Sequence, residues 1–213
     1  MKFANYLLLT SMLVALSLSG CGKISFGKKT ESTSSEPAST EPGKPADKTK
    51  VKKIDPKATA AFQKALNAIA TGNNDLAISL LTELADSHPT LSGSHTNLGL
   101  IYFKDGDMDR AEAAFGQAIS INDANPTAHT HLGIIYRQKG RFTDAEQAYL
   151  RAIEHVPEYG LAHLNIGILY ELYLRKLTDA LRHYETYQSL QESEDETVKK
   201  WIVGLKRKLK LPK

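Results

Sequence analysis

The chain says nearly the same thing more than once. The stretch "HTNLGLIYFKDGDMDRAEAAFGQAI" (95–119) returns as "HTHLGIIYRQKGRFTDAEQAYLRAI" (129–153) and again, more loosely, from His163 onward. Setting 58–91, 92–125, 126–159 and 160–194 side by side gives a period of 34 residues, without gaps through the first three units. The eighth place of each unit holds Ala65, Gly99, Gly133 and Gly167, and the eleventh Ala68, Tyr102, Tyr136 and Tyr170. Place twenty holds Ala77, Ala111 and Ala145, with Ala180 one residue late, and place twenty-four holds Leu81, Phe115, Tyr149 and Tyr184. Place twenty-seven holds Leu84, Ala118, Ala152 and Tyr187. A period of this length marks small supersecondary units. None of them can bury its apolar face alone, and stacking on a neighbour does so.

Each unit reads as two helices. In the second, Leu98, Ile101 and Tyr102 recur at helical spacing, "KDGD" breaks the pattern, and Ala111, Ala114, Phe115 and Ala118 resume it. Small residues at places eight and twenty let the paired helices approach, and aromatic residues fill the space beside them. This order of small and aromatic places over 58–194 resembles the tetratricopeptide repeat. The resemblance implies an all-α fold: a right-handed superhelix of antiparallel helix pairs, about four repeats long. The departures are specific. The first unit lacks the aromatics (Ala68, Leu81), the fourth has "YLRK" and one extra residue at its turn, and Asp123 stands where Pro89 and Pro157 close other units. His95, His129 and His163 occupy the fourth place, where the family most often has Trp. Segment 195–213 begins with acids, ends with cations and lines Val198, Trp201, Ile202, Leu205 and Leu209 on one face, as a helix capping the last repeat would.

The flanks differ from the body in charge. Segment 22–57 has nine Lys against five acids, 58–194 has ten Lys and Arg against seventeen acids, and 195–213 has seven against two. An acidic body between basic flanks is a poor nucleic-acid binder, so no nucleic-acid partner is expected. Residues 1–20 have the make-up of a signal peptide, with Lys2 ahead of the apolar run Tyr6 to Leu18. The tetrad "LSGC" ending at Cys21 resembles the bacterial lipobox. That resemblance implies acylation of Cys21 and anchoring of the chain in a membrane through its acyl chains. Gly22 follows, rather than the Asp associated with inner-membrane retention, which implies the inner leaflet of the outer membrane, facing the periplasm. The alternative is an ordinary cleaved signal beside a free thiol. Residues 21–57 are then the lipidated Cys and a disordered tether, its 36 residues after Cys21 reaching roughly 30–35 Å.

Candidate chemistry is sparse. Histidines one repeat apart are separated by about the 8–10 Å of packed helices, too far to share an ion. His88, His131, His155 and His183 show no ligand spacing either. No metal or cofactor is therefore expected. "DGDMD" (105–109) lacks the Gly and Glu places of a calcium loop and reads as an inter-helix turn. No nucleophile, phosphate-loop or paired-carboxylate motif stands apart from the repeat, so no enzymatic activity is expected.

The family resemblance points instead to the inner wall of the superhelix, at places five, nine, twelve and thirteen of each first helix. Those places hold Phe62, Leu66 and Ile69; Thr96, Leu100, Phe103 and Lys104; Thr130, Ile134, Arg137 and Gln138; and Leu164, Ile168, Glu171 and Leu172. Their aliphatic stripe suits a protein partner presenting an apolar helix or extended segment. The alternative is that the protein's own chain covers the stripe. The basic last helix has two readings as well, contact with anionic lipid or a cap with solvated lysines. The whole looks like an anchored repeat adaptor, similar to the pilotins of type IV pili and to envelope scaffolding lipoproteins. A self-associating structural protein with no client is the alternative.

Overall fold

The computed structural model describes residues 55–212. The expectations placed on the signal peptide, on Cys21 and on the tether up to residue 54 lie outside the described residues. Nine helices and no strand occur among the described residues: α1 (Pro56–Ala70), α2 (Asn74–Ser87), α3 (Ser92–Lys104), α4 (Met108–Ile121), α5 (Pro126–Gln138), α6 (Phe142–His155), α7 (Gly160–Leu172), α8 (Leu177–Ser189) and α9 (Glu196–Lys208). Consecutive helices pack on one another along the whole series, and the first helices of adjacent pairs, α3 with α5 and α5 with α7, also touch. This is an all-α solenoid of helix pairs. None of these helices is long and apolar enough to cross a membrane.

Helix ends follow the local chemistry. The side chains of Asp55, Asn73, Asp107, Asn125 and Asp195 cap α1, α2, α4, α5 and α9 by accepting from free backbone N–H groups. The first helix therefore starts at Pro56, two residues inside the segment assigned to the tether, because Asp55 caps it and proline suits its first turn. Within the first three pairs a three-residue turn carries glycine at positive φ: Gly72, Gly106 and Gly140, at 73°, 81° and 75°. The fourth pair uses Tyr173 to Lys176, one residue more, and Arg175 takes the left-handed conformation at φ 57°. "DGDMD" is such a turn: Gly106 reverses the chain, Asp107 caps α4 and Asp109 pairs with Lys139.

The small places work as their pattern requires. A Cβ on Gly99, Gly133 or Gly167 would lie 2.7, 2.4 or 2.6 Å from the ring of Phe115, Tyr149 or Tyr184. Each aromatic lies flat on the bare backbone of the helix before it, and all three are buried. The last helix behaves as a first helix with no second. Counting from each helix start, Ser94, Ala128 and Ala162 match Val198, and Ile101, Ile135 and Leu169 match Leu205, all of them buried. Trp201 packs on Tyr184 with centroids 5.4 Å apart. At the glycine place α9 carries Val203, exposed among Lys199, Lys200 and Arg207. A following helix has no flat backbone to dock on, so the stack ends there.

Candidate functional site

The inner-wall places are not equivalent once folded. Leu66, Leu100, Ile134 and Ile168, one from each first helix, are all half-buried. Leu100 and Phe103 pack on the core around Phe115, Phe62 and Ile69 on the core around Leu81, and Ile134, Leu164 and Ile168 on the core around Tyr149 and Tyr184. Each offers solvent only an edge. Lys104, Gln138 and Leu172, the thirteenth places, are exposed, and Leu172 is the most open large apolar side chain among the described residues at 62%.

Two assigned residues are not available to a partner. Thr96 and Thr130 are buried. The Thr96 hydroxyl donates to the Ser92 carbonyl and accepts from the Asn125 side-chain amide at 2.7 Å, so it ties two repeats together. The Thr130 hydroxyl is buried with no protein partner.

The C-terminal half of the wall is more polar than the aliphatic stripe suggested. Arg137 donates to the Asn165 side-chain oxygen at 3.3 Å, and its Nε is buried without a protein acceptor. The buried Tyr149 hydroxyl nearby also lacks a partner, and burial pushes its pKa up to about 12 against the opposing Arg137 charge. Glu171 accepts from the Tyr184 hydroxyl at 3.3 Å and from Lys208 of α9 at 3.1 Å. Burial first, then Glu171, raises the Tyr184 pKa. Asn165, Lys208 and the two tyrosine hydroxyls were not assigned from sequence: Asn165 is at place six, and the others come from α9 or from second helices. Three cations of α9 turn back on acids of the body or of the approach to the helix, Lys208 on Glu171, Lys206 on Glu185 and Lys199 on Glu194, which fits a cap.

The fourth-place histidines occupy the layer between repeats. His129 and His163 are buried. A carbonyl oxygen only accepts, so Nε2–H of His129 donates to the Asp123 carbonyl at 2.8 Å and Nε2–H of His163 to the Pro157 carbonyl at 2.9 Å. The ring N–H thus pins the closing loop of the preceding repeat. His155, which showed no ligand spacing in sequence, meets His129 across Asp123: the ligand atoms of the three all lie within 4.8 Å of one another. The hydrogen bond from His155 is the main reason the Asp123 carboxyl sits below the usual carboxylate range, with the Arg151 charge and His129 helping. His163 instead meets His183, Nδ1 to Nδ1 at 2.9 Å, with both rings buried. Burial, then the His163 charge, lowers the His183 pKa to about 4.

Three hollows lie off the inner wall. One of about 450 Å³ lies at the free end of the first pair, beside Ala61, Lys64 and Leu84. One of about 350 Å³ lies on the outer face of α9. One of about 240 Å³, bordered by His129, Tyr136, Arg141 and Arg151, lies along α5 and α6. None of the three is bordered by Leu66, Leu100, Ile134 or Ile168.

The family described as "Tetratricopeptide repeat" matches over residues 62–129, 96–159 and 130–195. No curated protein sequence matches the chain. Among solved structures, one from a functional characterization of PilF of Pseudomonas aeruginosa is 20% identical at a TM-score of 0.62, covering 72% of this chain and 69% of that one. A MamA protein is 19% identical at 0.61, covering 72% and 83%. The first repeat domain of Spaghetti (RPAP3), bound to the HSP90 peptide SRMEEVD, is 22% identical at 0.52, covering 56% and 93%. At these identities the likeness is one of fold.

Proposed function

This chain belongs to the tetratricopeptide repeat family, and on that premise we propose that it is a non-catalytic adaptor that holds a protein partner along its inner wall. The observation that carries this is the row Leu66, Leu100, Ile134 and Ile168, presented at the same place on four successive first helices and half-exposed at every one. A row of aliphatic edges at one repeat spacing suits a partner helix or strand with apolar residues along one side. The polar strip of Arg137, Asn165 and Glu171 suits hydrogen-bonding groups at one end of that partner. The PilF and RPAP3 structures lend the reading family support, the second through its bound peptide.

The lipobox-like tetrad at Cys21 supports an anchor, and the span up to residue 54 supports a tether. We place the adaptor on the periplasmic side of the bacterial outer membrane, where confinement to a surface raises its effective concentration for envelope partners. Assembly of a pilus, secretion or cell-wall complex is the setting this combination fits. Self-association through the repeat ends fits less well, since Val203 and the surrounding cations of α9 oppose a further stacked helix.

Photo-crosslinking tests the reading. A photoreactive residue at Gln138 or Leu172, both exposed on the inner wall, is expected to capture one and the same partner in intact cells. The same residue at Ala113 or Gln147, exposed on second helices, is expected to capture none. Equal capture from both faces, or none from the inner wall, would overturn the proposal.

A further inference from the structure

We propose that Asp123, His129 and His155 form a binding site for a divalent transition-metal ion, with Zn²⁺ as the expected occupant. The site shares no residue with the inner wall and does not depend on the adaptor reading.

The starting point is a departure from the repeat that occurs at a single junction. Three junctions join the four repeats, and the residues to compare at each are the closing residue of one unit and the fourth and thirtieth places of the next. The first junction reads Pro89, His95 and Ile121, and the third reads Pro157, His163 and Leu190. The second reads Asp123, His129 and His155. Two places therefore change from apolar to metal-ligating types at the same junction, and the two new side chains meet: His155 Nε2 lies 3.0 Å from Asp123 Oδ2. His129 Nε2 lies 3.2 Å from Asp123 Oδ1. A need to hold repeats together does not explain the pair, because the other junctions manage with Pro and an aliphatic residue.

The geometry is close to a donor set. Ligands on a tetrahedral ion with bonds near 2.0 Å stand roughly 3.3 Å apart. Each imidazole Nε2 stands at about that distance from one oxygen of the carboxylate, His155 from Oδ2 and His129 from Oδ1, and one ligand atom from each of the three residues lies within 4.8 Å of the others. The histidine rings lie nearly parallel, centroids 5.9 Å apart and 19° between planes, so both Nε2 atoms face the same carboxylate. The donors come from three different segments: the loop after α4, the first turn of α5 and the last residue of α6. Two imidazoles and a carboxylate suit a borderline cation such as Zn²⁺, with the fourth position open. His129 and Arg151 also border the hollow of about 240 Å³, which leaves room beside the site for water or a further ligand.

Binding needs two local changes. Each ring now directs Nε2–H at Asp123. The ion needs the Nε2 lone pair, so that proton leaves Nε2 and the ring binds as the Nδ1–H tautomer. The His129 bond to the Asp123 carbonyl is given up in the exchange. Arg151, whose guanidinium lies 3.7 Å from Asp123 Oδ2 and is half-exposed, swings away into solvent as the ion takes its place.

The test is titration of the full-length chain with ZnCl₂ in detergent by isothermal calorimetry. Cys21→Ser is carried in every sample, so that the one thiol in the sequence cannot bind the ion. A single saturable equivalent is expected, along with an imidazole signature in the zinc X-ray absorption spectrum. The double variant Asp123→Pro/His155→Ile writes the first junction into the second. Asn122 already has the extended backbone that a residue before proline needs, with φ −141° and ψ 96°. This variant should keep its helical circular dichroism and lose at least about tenfold in affinity. Asp123→Asn, which preserves the shape of the site, should weaken binding by several-fold, and Arg151→Ala should tighten it. Absence of saturable binding, or equal affinity in the folded double variant, would overturn the assignment.

Discussion

The second and third junctions of the solenoid use the same histidine for the same structural task and surround it with opposite environments. In both, the fourth-place ring donates Nε2–H to the carbonyl that closes the previous repeat. At the second junction the ring then meets the exposed Asp123 and the partly exposed His155. At the third it meets His183, which is buried beside Tyr170. The repeated residue therefore builds the junction, and its unrepeated neighbours decide whether that junction is an open donor cluster or a closed, buried pair.

The largest loss of stability is expected at the closed junction. His163→Ala leaves the Pro157 carbonyl and the His183 ring without partners inside a packed layer, and opens a cavity. It should cost about 3–4 kcal/mol in urea denaturation.

Acidification comes next. The His183 pKa is lowered in the folded protein to about 4 from an ordinary value of 6.5, so the unfolded chain binds more protons between those values. Stability is complete above pH 6.5 and falls by about 2–3 kcal/mol as the pH drops to 4. Asp179 and Arg182 on α8 and Tyr170 on α7 are the other titratable groups around the ring. His183→Ala, which copies Ala114 and Ala148 at the same place, should flatten that part of the profile in thermal melts from pH 7 to 4.

At the open junction, His129→Ala should cost less than His163→Ala, about 1–2 kcal/mol, because water can reach the freed Asp123 side. The smallest effect is Asp123→Asn, which should leave the urea midpoint nearly unchanged in the absence of metal, since the carboxylate itself is half-exposed. A cost for His129→Ala equal to that of His163→Ala would erase the distinction between the two junctions.

Much of the scaffold was legible in the chain itself. Glycines at place eight and aromatics at place twenty-four foretold the ring-on-backbone contacts of Gly99 with Phe115 and Gly133 with Tyr149. The extra residue in "YLRK" foretold the longer fourth turn. The wall was less legible, because a place number gives the direction of a side chain but not what covers it. Thr96 and Thr130 hold wall places and are buried, whereas Leu172 at the end of the row stands open. The polar strip escaped because it joins residues of first helices to Tyr149, Tyr184 and Lys208, which belong to other periodicities.

The sequence alone settled the period, and with it the helix pairs, their turns and the order in which they stack, since each of these rests on residue types that recur at the same place of successive units. Tertiary structure decided which histidines meet. His129 and His155 stand 26 residues apart, and His163 and His183 twenty, with nothing in either interval to mark a pair. Stacking the third repeat on the second turns two rings toward the Asp123 carboxylate, and pairing α7 with α8 inside the fourth turns the other two toward each other.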